Sequence, residues 1–179
     1  MFKIEDSLAL VVDFQDRLMP FISGREELER KAGAFMRGCR ILGVDMLVMQ
    51  QYTRGLGDTC AALRDALGEF EHIEKMSFSC CGSDEFVGRL ELSGKRNIIV
   101  TGIEAHICVQ QTVLGLLAGG YSVYVLADCI GSRSESDKAY AEKRMSQAGA
   151  VLTTMESVLF ELLARADHPK RKDISALVK

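Results

Sequence analysis

The chain has 179 residues, 47% of them hydrophobic, only two prolines and a net charge of −3. That size and composition suit one folded domain over residues 1–179, give no support to disorder, and argue against bulk attraction to nucleic acid. No run approaches the ~20 apolar residues that a membrane span needs.

The opening stretch "MFKIEDSLALVVDF" sets three charges ahead of a short apolar run, with no small-residue cleavage site after it. It reads as a first strand and not as a signal peptide. A cytoplasmic chain with reduced thiols is therefore expected. "SLALVVD" (7–13) has the continuous apolar character of a buried strand, and "REELERKAGAFMRGCRILG" (25–43) the period of an amphipathic helix stopped by Gly43. "VDMLVMQ" (44–50) is a second strand, followed by the polar, glycine-containing loop "QYTRGLGDT" and a short helix near 60–67. "FEHIEKMS" (70–77) reads as a third strand, and 83–92 as a helix with Ser83 as N-cap.

The alternation continues with a strand at "RNIIVTG" and a helix around 105–118. A strand at 121–128, a polar-faced helix at 134–149, a strand at 150–154 and a helix at 157–166 complete it. The basic run Lys170-Arg171-Lys172 reads as a solvated end. Six strands alternating with helices indicate an α/β fold of three layers (αβα), in which a mostly parallel sheet is covered on both faces.

In such Rossmann-like sheets, ligands bind beyond the carboxyl ends of the strands. That edge holds Asp13 at the end of strand one, Lys75 at the end of strand three, and the segments 51–59, 75–82, 102–108 and 128–134. The six cysteines sort by the same rule. Cys39 and Cys60 fall on helical segments and read as small apolar fillers. Cys129 sits at a strand end, where it either lines the site or packs. The spacings give no C-x-x-C zinc or redox motif.

Cys108 lies near the start of a helix, where free N–H groups favour a thiolate, and it shares its edge with a carboxylate and an ammonium. Lys75 should ease its ionisation and Asp13 oppose it. Its sequence neighbours alone would equally suit a buried helix residue. His106 is two positions away, off the helix face of Cys108, and is not expected to be its base.

The segments "LALVVDFQDRLMP", Lys75 before "MSFSCCGSDEF", and "VTGIEAHICVQQTVLGLLAGGYSVYVLAD" together resemble the isochorismatase-like cysteine hydrolases. "CIGSRSESDKAYAEKRM" and "HPKRKDISALVK" extend the likeness to the isochorismatase domain-containing branch. The resemblance implies strand order 3-2-1-4-5-6 and a Cys108-Asp13-Lys75 triad working through a covalent intermediate. It implies a cis peptide between Ile103 and Glu104 that brings the Glu104 N–H beside that of Cys108 at an oxyanion. Phe14, Tyr52, Phe78 and Glu104 are the expected pocket residues. A small amide or related C–N compound is the expected substrate, and a homo-oligomer the expected assembly, with no nucleic-acid or membrane partner.

Nicotinamidases of this wider family bind a metal through an Asp and two histidines after strand two. This chain reads "QQYTRGLGDTC" there, without a histidine. No metal and no cofactor are therefore expected, and nicotinamide is disfavoured. Isochorismatases proper lack a nucleophilic cysteine, so Cys108 disfavours that reaction too. A protein that keeps the triad as a low-activity binding or scaffold module is the alternative.

Overall fold

The computed structural model describes residues 3–179, so Met1 and Phe2 of the expected first-strand segment lie outside the described residues. Six strands form one sheet: β1 (Ser7–Val12), β2 (Asp45–Gln51), β3 (His72–Lys75), β4 (Asn97–Ile103), β5 (Ser122–Gly131) and β6 (Val151–Thr153). Their order is β3-β2-β1-β4-β5-β6, and every neighbouring pair is parallel.

The side chains of central β1 alternate between two cores, as the strand period requires. Ala9 and Val11 join one with Phe35 and Met36 of α1 (Arg25–Leu42), Leu63 of α3 (Ala61–Leu67) and Leu159 of α7 (Met155–Leu163). Leu8, Leu10 and Val12 join the other with Phe86 of α4 (Asp84–Ser93), Val113 and Leu116 of α5 (Gln110–Ala118), and Met145 of α6 (Glu135–Gln147). Covering both faces makes the strand apolar from Leu8 to Val12, and all six residues of β1 are buried.

Helix starts follow local chemistry. The side chains of Ser83, Ser134 and Thr154 accept from the N–H groups of Phe86, Asp137 and Ser157. Val12 pairs with Gly102, and a Cβ at Gly102, whose φ is +147°, would fall on the Val12 carbonyl. Glycine there lets β1 and β4 close up at the edge where the candidate residues gather.

Four details depart from the sequence reading. A short helix, α2 (Thr53–Leu56), interrupts the loop after β2. The C-terminal basic run is exposed, as expected, but it leads into a helix, α8 (Arg171–Leu177), whose Ile174 is fully buried against the α1 core. Apolar residues at 174, 177 and 178 supply the stripe that docks it. The helix expected at 105–118 begins as a π-helical turn, Ala105–Val109, and becomes α-helical only at Gln110. β5 runs on to Gly131, so Cys129 lies inside a strand and not at its end. No helix among the described residues is long and apolar enough to cross a membrane.

Candidate active site

β1 ends at Val12, and Asp13 turns the chain with φ of +52°, a conformation Asp adopts more readily than most residues. Its N–H donates to the Met49 carbonyl at 3.1 Å, and its own carbonyl accepts from Gln15 N–H at 2.7 Å. The carboxylate is thereby fixed at the carboxyl edge of the sheet.

Lys75 ends β3 two strands away, and its Nζ reaches Asp13 Oδ2 at 2.7 Å. Neither side chain is exposed to solvent. The same ammonium lies 3.0 Å from the Phe78 carbonyl, 3.2 Å from the Ser77 carbonyl and 3.3 Å from Gln51 Oε1. A buried charge survives only with partners of this kind.

Cys108 completes the group from the π-helical turn. Its Sγ is 3.2 Å from Gln51 Oε1, to which the thiol donates. Asp13 and Cys108 are near enough to influence each other's ionisation. Asp13 Oδ1 is nevertheless buried without a hydrogen bond. Desolvation raises the Asp13 carboxyl above its ordinary value despite the opposing charge and hydrogen bond of Lys75. Desolvation, followed by the Asp13 charge, also pushes the Cys108 thiol well up, and Lys75 only partly offsets this. Lys75 eases and Asp13 opposes ionisation as the sequence reading expects, but a thiol that ionises readily is not the result, because desolvation outweighs the lysine. Burial thus favours the protonated thiol in the resting site.

A cleft of about 240 Å³ opens at this point, lined by Leu18, Gln51, Leu56, Phe78, Glu104, Ile107 and Cys108. Of the expected pocket residues, Phe78 and Glu104 line it. Glu104 Oε2 accepts from Arg133 through both the backbone N–H at 3.1 Å and Nε at 3.0 Å. Ile103 is buried behind it, and the Ile103–Glu104 peptide bond is cis. Phe14 does not line the cleft. It is buried in the α1-side core, because the turn at Asp13 sends the next side chain inward. Tyr52 is half-exposed beside the cleft and outside its lining.

Cys129 is buried next to Asp128, and Cys80 is buried with its N–H on Thr112 Oγ1 at 2.9 Å. His106 Nδ1 lies 3.0 Å from Ser132 Oγ, and its Nε2 faces Asp137 Oδ2.

Two glutamines carry more of the site than their sequence positions suggest. Gln15 is fully buried, and its Oε1 accepts from the Gln51 N–H at 2.8 Å. Its Nε2 donates to the carbonyls of Gln51 at 2.9 Å and Gly57 at 2.7 Å. Gln15 was visible only as the end of "DFQ", and Gln51 only as part of an edge segment. An uncharged amide gives no catalytic signal in a sequence.

The Isochorismatase domain model matches residues 7–157. Isochorismatase domain-containing protein 1 of Salmo salar is 36% identical over 93% of this chain and 59% of its own length. This chain thus spans less than two thirds of that relative. Isochorismatase family protein 1B of Dictyostelium discoideum is 33% identical over 98% of this chain and 87% of its own. Among solved structures, the MAR1 ribonuclease from Caenorhabditis elegans superposes with a TM-score of 0.93 at 36% identity, covering 99% of this chain and 91% of that one. With a model match across most of its length, this chain belongs to the isochorismatase family.

Proposed function

We propose that this protein is a cysteine hydrolase that cleaves a small amide or related C–N compound through Cys108, Asp13 and Lys75. The observation that carries the reading is a buried Asp13 carboxylate, its Oδ1 without a hydrogen bond, close enough to act on the ionisation of the Cys108 thiol that lines a small cleft. A base must lie within reach of the proton it takes, and burial has raised this carboxylate's affinity for one.

The Cys108 S–H proton passes to Asp13, and the sulfur lone pair attacks the substrate carbonyl carbon. The C=O π electrons move to oxygen, forming an oxyanion assigned to the N–H groups of Glu104 and Cys108. Collapse breaks the C–N bond, and the leaving nitrogen takes the proton held by Asp13. A thioester remains on Cys108. Asp13 then takes a proton from water, whose oxygen attacks the thioester. The thiolate leaves and recovers that proton, so one amide and one water give one acid and one amine. Throughout, Lys75 keeps the Asp13 pocket tolerant of negative charge.

The test is hydrolysis of a panel of small amides with Cys108→Ala as blank, together with the acyl mass adduct on Cys108 in intact protein. Hydrolysis that survives Cys108→Ala would overturn the assignment. Binding of those amides with no turnover would instead favour the scaffold alternative.

The similarity to a protein described as a ribonuclease favours a second reading, RNA cleavage. Against it stand the net charge of −3 and a cleft sized for a small molecule. Incubation of labelled single-stranded RNA with wild-type and Cys108→Ala protein separates the two.

A further inference from the structure

Gln51 Oε1 sits between the two working groups of the site, 3.3 Å from Lys75 Nζ and 3.2 Å from Cys108 Sγ. An ammonium only donates, so the amide atom facing Lys75 is the oxygen. The sulfur facing that same oxygen must then carry the proton of the contact. The free carboxylate oxygen of the base, Asp13 Oδ1, meanwhile has no partner.

We propose that Gln51 is a positioning residue that holds the Cys108 thiol protonated and turned away from Asp13 in the resting enzyme. This rests on the hydrolase reading above. It adds that nucleophile formation begins with a swing of the S–H bond from Gln51 to Asp13. No bond between heavy atoms changes in that swing, and the proton stays on sulfur until Asp13 accepts it.

The burden falls on the cysteine and not on the lysine. Lys75 has three protons and four acceptors, and Gln51 is the most distant of them. Asp13 and the Ser77 and Phe78 carbonyls can satisfy it without the amide. The thiol donates to Gln51, while the nearby Asp13 carboxylate acts on it through its charge and a weaker hydrogen-bonding contact. A hydrogen bond to the neutral form opposes ionisation. The other ionisable groups acting on Cys108 are Asp13, Lys75 and Cys80, and of these only Lys75 touches Gln51, through the longest of its four contacts. The backbone of residue 51 stays clamped by Gln15 whatever its side chain.

Gln51→Met and Gln51→Glu test this by the rate at which iodoacetamide alkylates Cys108 between pH 6 and 10, resolved by peptide mass spectrometry. Removing the carbonyl should move the profile down by about one pH unit, roughly tenfold faster reaction at neutral pH. A carboxylate in its place should move it up by a similar amount. Opposite signs are the signature of a proton-holding contact. Shifts of the same sign, or below about twofold in both variants, would overturn the proposal. If Gln51→Met loosens the fold, buried Cys39 will react as well; Gln51→Glu then decides alone, with an unchanged or faster rate counting against it. Neither readout needs a substrate. If hydrolysis survives Cys108→Ala while these shifts appear, the failure belongs to the hydrolase reading and not to the placement of the thiol.

Discussion

Asp13 and Lys75 meet at 2.7 Å with neither side chain open to solvent, which makes each the condition for burying the other. Removing one partner strands a charge in a dry site. Lys75→Met should cost about 3–5 kcal/mol of stability in urea unfolding, and Asp13→Asn combined with Lys75→Met should recover part of it. A double-variant loss equal to the sum of the two single-variant losses would show that the pair is not coupled.

The charge of Asp13 helps raise the Cys108 thiol, so its neutralisation should act in the reverse direction. Asp13→Asn should shift the alkylation profile of Cys108 to lower pH while abolishing turnover of any amide the wild type hydrolyses. A profile unmoved by Asp13→Asn would mean that burial alone sets the thiol.

Alkaline pH should unfold this protein early. Cys39, Cys80 and Cys129 are all raised by burial, with Cys80 pushed up to about 12 from 9.0. A thiol that holds its proton more tightly folded than unfolded makes folding take up protons above about pH 9. Its stabilising contribution is complete below that pH and is lost as pH rises towards the folded value. Urea midpoints measured from pH 7 to 11 should fall above 9, and Cys80→Ala should flatten the fall.

Phe14 and Phe78 should separate stability from substrate handling. Phe14 is buried in the α1-side core, and Phe14→Ala should cost about 3–5 kcal/mol. Phe78 is 53% exposed at the cleft. Phe78→Ala should leave stability within about 0.5 kcal/mol and instead alter KM for the hydrolysed amide. The opposite pattern would redraw the cleft.

Gly102→Ala should be among the least tolerated single changes. The added methyl meets the Val12 carbonyl, and φ of +147° suits no side chain. A loss above about 4 kcal/mol, or failure to accumulate as soluble protein, is expected. A urea midpoint close to wild type would show that β1 and β4 can part without harm.

The alternation of apolar runs with helical patterns was enough to read the parallel sheet, because strands buried on both faces carry no polar interruptions. Asp13 was legible for a related reason, since a charge directly after such a run must sit at a strand end, whereas Lys75 ends the less apolar run "FEHIEK" and drew its role from the resemblance. Gln15 and Gln51 were not, because their part is written in hydrogen-bond geometry between segments 36 residues apart. Phe14 misled because its neighbour is functional, whereas the sharp backbone turn at Asp13 decides where it goes. The helix α8 was hidden behind its basic start, with the buried Ile174 four residues past Lys170.

The π-helical turn Ala105–Val109 separates two jobs that one continuous α-helix would have tied together. Thr112, Val113 and Leu116 set how α5 sits on the sheet, and Cys108 is presented from the wider turn before it. Each residue added to or dropped from a helix rotates what lies beyond by about 100°. A one-residue indel in that turn would swing the sulfur out of the cleft while α5 kept its seat. Chains of this architecture thus have a short route by which descendants can shed or regain their chemistry and leave the scaffold undisturbed.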